Sequence, residues 1–348
     1  MPKPFFVYNS YTTILEGVIQ MKPTIKKIAE NLGLSQATVS KALSGRQDIS
    51  EDTRNRVRDY ADEVGYFKTV NIKRRISILT INPEEMDSGQ PTLMFNMIMG
   101  FQRYANKLQY DVVISNMNSE EQNKETIDQF AIKNQFDGLF IMGLGKKDSF
   151  YEQLKSTKTP VVLLDINTQN PLVGNVSTDS LYGGLLAIEH LYQLGHKNIG
   201  FVNGHKNAYI SHERFAGYLA GINAYGLPYN QDFYFDGDYT MESGATAADY
   251  FIKTNVSAIY FASDLMAFGA IRRFQALGFS IPDDYSIIGF DNQPLCLGST
   301  PPLTSIAQNP LLIGETACAL IHGIMNDNPI SHVKLEPLLV VRGSTASI

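Results

Sequence analysis

Three short apolar runs in this chain are followed by side chains that can hydrogen-bond a polyol. Asp165 follows Val161–Leu164, Ser263-Asp264 follow Ala258–Phe261, and Asp291-Asn292 follow Ser286–Phe290. Carboxylates and side-chain amides suit sugars because they accept from and donate to neighbouring hydroxyls. A plainer reading competes with this one. An aspartate at a strand end often only caps the next helix, as Asp264 would if it opened one at Leu265. Other reactive side chains point away from catalysis. His196 and His205 lack metal-site spacing, and so do the two cysteines, Cys296 and Cys318, which are also too few for a disulfide framework. No G-x-S-x-G, Walker A or Rossmann glycine pattern occurs. The chemistry expected is therefore binding, with no cofactor and no enzyme activity.

The elements that carry these residues follow from hydrophobic spacing. After Ile76, β-branched runs at Ile76–Ile81, Asp111–Ile114, Gly138–Met142, Val161–Leu164, Ile199–Val202, Ala258–Phe261 and Ser286–Phe290 alternate with amphipathic stretches of helix length. Those stretches include Leu93–Leu108, Leu181–Leu194, Glu213–Tyr225 and Leu265–Leu277. Apolar strands separated by helices form parallel βαβ units, and seven strands are enough for two adjacent sheets. Ligands of such sheets bind beyond the carboxyl ends of the strands, where the three polar sites fall.

Before Ile76 the pattern is purely helical. Thr24 is placed to cap a helix with Ile25, Ile28, Ala29 and Leu32 on one face, and Gly33 suits the left-handed residue that ends it. Ser35 caps a second helix that turns Val39, Ala42 and Leu43 inward and Gln36, Ala37, Ser40 and Lys41 outward. Ser50 caps a third, with Glu51 and Asp52 in the first turn, where the helix dipole favours acids. Its inward residues are Val57, Tyr60, Ala61 and Val64. Charge divides at the same place. Lys22 to Arg75 hold 12 Lys/Arg against 7 Asp/Glu within a chain of net charge −6, so a basic head joins an acidic body.

The residue identities carry a resemblance. Thr-Ile-x-x-Ile-Ala-x-x-x-Gly-Leu-Ser-x-x-Thr-Val-Ser-x-x-Leu from Thr24 to Leu43 resembles the signature of the LacI/GalR family of bacterial transcription regulators. So does its continuation through Ile49-Ser50, Thr53-Arg54, Val57 and Gly65-Tyr66. In the body, Leu194–Gly200, Ser211-x-x-Arg214-x-x-Gly217-Tyr218, Ser263–Ala270, Ile288–Asp291 and Pro302–Gln308 are similar to the family's effector domain.

The resemblance implies a small all-α helix-turn-helix head joined to a two-lobed α/β effector domain of the periplasmic-binding-protein kind. Gln36, Ala37 and Lys41 would then face base edges, where lysine can donate to guanine and glutamine can read adenine. Thr24, Ser35, Thr38, Ser50, Thr53 and Tyr66 would position phosphates. Asp48 fits poorly beside a phosphate and is left without a role. In the body, Asp165, Arg214, Ser263, Asp291 and Gln308 would line the effector cleft. The family's aromatic stacking residue has no evident counterpart, and the chain contains no tryptophan.

The expected domains are 21–66 for the head, 67–75 for a basic linker and 76–348 for the effector-binding and dimerising body. The linker lacks the Pro-Asn and the leucine of the family's hinge helix, although Lys68, Lys73, Arg74 and Arg75 could bind phosphates. Residues 1–20 are expected to be a non-native or disordered extension, and Phe5–Tyr8 does not read as a signal peptide, since Asn9-Ser10 interrupt it and no small-residue cleavage site follows. Glu16-Gly17, which a purine-rich ribosome-binding sequence can encode, makes Met21 the expected start.

The expected function is repression of a carbohydrate-utilisation operon in the cytoplasm. A homodimer would bind a pseudo-palindromic DNA operator and be released by a small sugar or sugar-phosphate effector, with no membrane involved. Two alternatives are a catabolite-type regulator that uses a phosphocarrier protein as corepressor and, in a different class, a sugar-binding receptor. A receptor would need a secretion signal and no DNA-binding head.

Overall fold

A computed structural model describes residues 24–43, 46, 48–64, 73–83, 91–328 and 332–348. The extension 1–20, Tyr66 and the linker residues 67–72 lie outside these. The chain divides into two compact units, Met1–Ile72 and Lys73–Ile348.

The first unit holds helices α1 (Ile25–Leu32), α2 (Gln36–Leu43) and α3 (Glu51–Glu63). Each starts on the hydroxyl expected of it. Thr24 accepts from Lys27 N, Ser35 from Thr38 N at 3.0 Å, and Ser50 from Thr53 N at 3.3 Å. Gly33 ends α1 in the left-handed region at φ 64°. The core is small: Ile28, Ala29, Val39, Ala42, Val57 and Ala61 are buried, with Leu43, Tyr60 and Val64 packed around them. Burying one large aliphatic side chain contributes roughly 1.5–3 kcal/mol, so Ile28, Val39 and Val57 supply most of the head's apolar stabilisation.

The second unit is built on two six-stranded sheets. The first has the order β11-β5-β4-β3-β1-β2, from β1 (Arg75–Ile81), β2 (Asp111–Met117), β3 (Gly138–Met142), β4 (Val161–Leu164), β5 (Val173–Thr178) and β11 (His332–Leu335), all parallel. The second has the order β12-β10-β9-β8-β6-β7, from β6 (Ile199–Asn203), β7 (Tyr234–Asp236), β8 (Ala258–Phe261), β9 (Ser286–Asp291), β10 (Thr304–Ala307) and β12 (Leu338–Val340). Only β12 in this sheet runs antiparallel to its neighbour. The chain crosses between lobes three times, after β5, after β10 and between β11 and β12. The crossings lie side by side, since Asp179 N donates to Leu335 O and the Thr178 hydroxyl donates to Gln308 Oε1 at 2.7 Å.

All seven strands expected from apolar runs are present. The five others were not legible: β5 and β10 mix polar with apolar residues, and β7, β11 and β12 span only three or four residues. Asn175, Ser177, Thr178, Thr304 and Ser305 are all buried within β5 and β10. The linker boundary also needs correction. Arg75 is the first residue of β1, and its guanidinium lies 3.4 Å from Asp111, donates to Asn134 O and stands over the Phe136 ring. Those contacts engage it with the body, so the linker ends before Arg75.

Helix α4 (Pro91–Lys107) packs on α13 (Pro310–Ile324), which spacing alone did not single out. The two helices approach backbone to backbone. A Cβ on Gly314 would lie 1.9 Å from Met97 O, and one on Gly100 would lie 2.0 Å from Leu311 O. Neither carbonyl can move without shifting its helix. Gly314→Ala is therefore expected to destabilise the body by roughly 1–3 kcal/mol, the usual cost of overpacking, read as a lower melting temperature. An unchanged melting temperature would mean the helices separate freely.

Candidate functional site

Two surfaces carry the residues singled out from sequence. On the head, Gln36, Ala37 and Lys41 share the exposed side of α2, opposite the buried Val39 and Ala42. Ser35 and Thr38 are within 2.8 Å of each other through their hydroxyls at the start of α2, and Ser50 and Thr53 repeat this at the start of α3. Each hydroxyl pair therefore sits beside helix N-termini, where backbone N–H groups and the dipole favour an anion.

In the body the central feature is a buried ion pair. Arg214, on α9 (Tyr209–Ala224), places Nη2 3.2 Å from Asp291 Oδ1 at the end of β9, and both side chains are almost wholly enclosed. Its Nη1 donates to Ala262 O at the end of β8, and the guanidinium lies over the Phe290 ring at 3.9 Å. Gln308 Nε2 donates to the same Asp291 oxygen at 2.6 Å, while its Oε1 takes the Thr178 bond. One amide thus ties the buried carboxylate to the crossing between lobes. Burial opposes the charge of Asp291 and raises its carboxyl pKa, against the pull of Arg214. Burial also opposes the Arg214 charge, but Asp291, together with Tyr239, Tyr260 and Asp165, outweighs it, and the Arg214 pKa stands above the usual value.

Asp165 approaches from the other lobe, just past β4. Desolvation pushes its carboxyl up to about 7, opposed by Arg214 and reinforced by Glu213 and Asp291. The structure thus brings Asp165, Arg214, Asp291 and Gln308 together. Ser263 sits at the same strand ends, but its hydroxyl oxygen accepts from Met266 N and caps α11 (Asp264–Ala276). The cap belongs to Ser263, not to Asp264. Asp264 is buried instead, accepting from Ser305 Oγ at 2.5 Å and Gln293 N at 2.7 Å. Burial, with Asp291 nearby, raises its pKa.

Sequence reasoning missed an aromatic residue here. Tyr239 lies 5.9 Å from the Arg214 guanidinium, with its hydroxyl 2.8 Å from Ser211 Oγ. Backbone geometry would have flagged it. Eight described non-glycine residues have positive φ, and four of them are Asp165 (65°), Tyr239 (71°), Asp291 (112°) and Asn292 (53°). Such conformations cost energy and gather at functional sites. Asn292 is held by Arg342, whose Nη2 donates to its Oδ1 at 2.6 Å. A cavity of about 400 Å³ adjoins Asp291 and Gln308, walled by Leu93, Pro294, Leu297 and Leu311 with Asn96 and Arg342. The histidines are accounted for structurally. His196 is buried between Ser257 Oγ and Ala346 O, and His205 Nδ1 accepts from Asn207 N. Among the described residues no helix is long and apolar enough to cross a membrane, and no group of three His, Cys, Asp or Glu side chains is placed to hold a metal ion.

A basic three-helix head with an exposed polar second helix, joined to a two-lobed body with charged groups at its strand ends, defines a ligand-responsive DNA-binding protein. The comparisons agree. Residues 24–68 match the model for bacterial regulatory proteins of the lacI family, and residues 188–345 match a periplasmic binding protein-like domain. The HTH-type transcriptional repressor CytR of Escherichia coli (strain K12) is 31% identical over 335 residues, covering 93% of this chain and 97% of that protein. The lac repressor dimer bound to operator and the anti-inducer ONPF superposes with a TM-score of 0.79 at 22% identity, over 93% of this chain and 99% of the other. A CelR–cellobiose complex gives a TM-score of 0.70 at 25% identity, over 92% and 99%. The chain belongs to the LacI family of bacterial regulatory proteins, and is a DNA-binding transcriptional repressor.

The raised Asp165 pKa gives a test with a definite sign. Between 3.8 and about 7 the folded state keeps a proton that the unfolded chain has lost. Its stability therefore falls as pH rises through that window. Asp165→Asn is expected to melt like wild type near pH 4 and progressively above it toward pH 8, at roughly 2–4 °C per kcal/mol. A melting difference that does not change with pH would place the Asp165 carboxyl in water.

Proposed function

We propose that this repressor controls a carbohydrate-utilisation operon and leaves a pseudo-palindromic operator when a small sugar or sugar phosphate enters the body. Two heads of a homodimer would grip the two half-sites. On α2, Gln36, Ala37 and Lys41 would meet base edges. Thr24, Ser35, Thr38, Ser50 and Thr53, with Lys73 and Arg74 beyond the head, would contact phosphates and set register. Asp165, Arg214, Asp291 and Gln308 would bind the effector, with Tyr239 beside them and Ser263 serving chiefly as a helix cap.

The arrangement of charge carries the reading of the body. Arg214 and Asp291 are buried at the strand ends of one lobe, and a carboxylate of the other lobe faces them. Charged groups shielded from water make strong, directional hydrogen bonds to hydroxyls. The adjoining cavity lies within the size range of small-ligand sites. Because the site draws on both lobes and on the crossing between them, occupancy by a ligand would favour one lobe arrangement over another, and that preference is what can shift DNA affinity.

Asp291→Asn and Arg214→Ala are each expected to cost about 2–4 kcal/mol of effector affinity, or roughly 30- to 1,000-fold, while DNA binding without effector is retained. The measurement is a titration of ribose, cellobiose and other candidate sugars against protein held on its selected operator. Wild type should release DNA with at least one sugar, and both variants should stay bound at that concentration. Variants that respond like wild type would move the effector site elsewhere. Tightening of wild type on DNA would make the sugar a corepressor.

A further inference from the structure

The exposed lysine of the second head helix is paired. Lys41 Nζ lies 2.7 Å from Asp48 Oδ2, and both side chains are about half exposed, 48% and 49%. Asp48 stands seven residues later, in the connection to α3. Lys41, by hydrogen bond and charge, holds the Asp48 carboxyl below its ordinary pKa. Ion pairs this open to water add little to stability. Phosphates repel a carboxylate, so backbone affinity gives no reason for an acid here either. Its described neighbours are nevertheless anchored. Arg54 on α3 donates to Ile49 O at 2.9 Å and to Arg46 O at 3.4 Å, gripping the chain on both sides of Asp48.

The major groove offers a partner for such a couple. A G·C pair presents guanine N7 and O6 as acceptors with cytosine N4–H₂ as a donor beside them. A lysine alone needs only the acceptors. A lysine spanning two adjacent acceptors, with a carboxylate beside it, needs acceptor, acceptor and donor in that order, which G·C offers and A·T, with its donor between two acceptors, does not. We propose that Lys41 and Asp48 read one G·C base pair as a unit, Lys41 donating to guanine and Asp48 accepting from cytosine N4. This rests on the reading of α2 as the helix that meets base edges.

Selection of randomised duplex DNA by the full-length protein, followed by sequencing, tests the inference and yields the operator sequence at the same time. The set is wild type, Lys41→Ala, Asp48→Asn, Asp48→Glu and the Lys41→Ala/Asp48→Asn double variant, each first checked for an unchanged melting temperature. Wild type should select G·C at one symmetric position of each half-site. Lys41→Ala and Asp48→Asn should each weaken that preference about tenfold at that position alone. The double variant should lose little more than either single one. Asp48→Glu, which keeps an acceptor, should retain more of the preference than Asp48→Asn. Effects of Lys41→Ala and Asp48→Asn at different positions, or an Asp48→Asn effect equal on all sequences, would overturn the paired reading while leaving α2 as the reading helix. Selection by Lys41→Ala identical to wild type would remove Lys41 from the base-reading set, and the paired reading with it.

Discussion

An arginine and an aspartate cannot be taken out of water without a partner, and the body of this repressor is arranged around that requirement. Arg214 and Asp291 come from a helix and a strand far apart in sequence, and each is nearly inaccessible. Removing such groups from solvent costs several kcal/mol per ion unless charge and hydrogen bonds compensate. Here the guanidinium has the carboxylate, a backbone carbonyl and the face of Phe290. The carboxylate has the guanidinium and the Gln308 amide. Residues that seem unrelated along the chain are thus drawn to one place.

The cost of this arrangement is visible in the backbone. Asp291 and Asn292 turn out of β9 through positive φ, with Arg342 holding Asn292. Gln308 has two tasks at once, because its amide contacts the charged site through nitrogen and the neighbouring crossing through oxygen. A ligand that competed for Asp291 would therefore act directly on the segments that join the lobes. That would be a short physical route from binding to a change in lobe arrangement, made of contacts rather than distant coupling.

The head follows different rules. Its helices are specified almost entirely by local chemistry: a hydroxyl at each N-terminus, glycine at a left-handed end, and an apolar stripe at helical spacing. A fold of this size has few ways to bury Ile28, Val39 and Val57 together, so spacing and caps suffice. What spacing could not supply was the partner of an exposed charge. Asp48 had no role in sequence, and only folding of the α2–α3 connection brings it to Lys41.

The same division runs through the whole protein. Sequence determined the head, the two-unit organisation and the seven strands made of continuous apolar residues, because periodicity and capping are local properties. It also named Asp165, Arg214, Asp291 and Gln308, which folding places together. Tertiary structure decided the rest. Of the five additional strands, β5 and β10 contain buried Ser, Thr and Asn residues and read as polar loops, while β7, β11 and β12 span only three or four residues and carry no periodic signal. Ser263, not Asp264, caps its helix, and Asp264 is buried against Ser305 and Gln293, partners remote in sequence that only the fold supplies. Arg75 moved from linker to strand because Asp111, Asn134 and Phe136 are brought to it only when the sheet forms. Tyr239 was invisible because an isolated tyrosine in a polar stretch acquires meaning only when the chain folds it against Arg214.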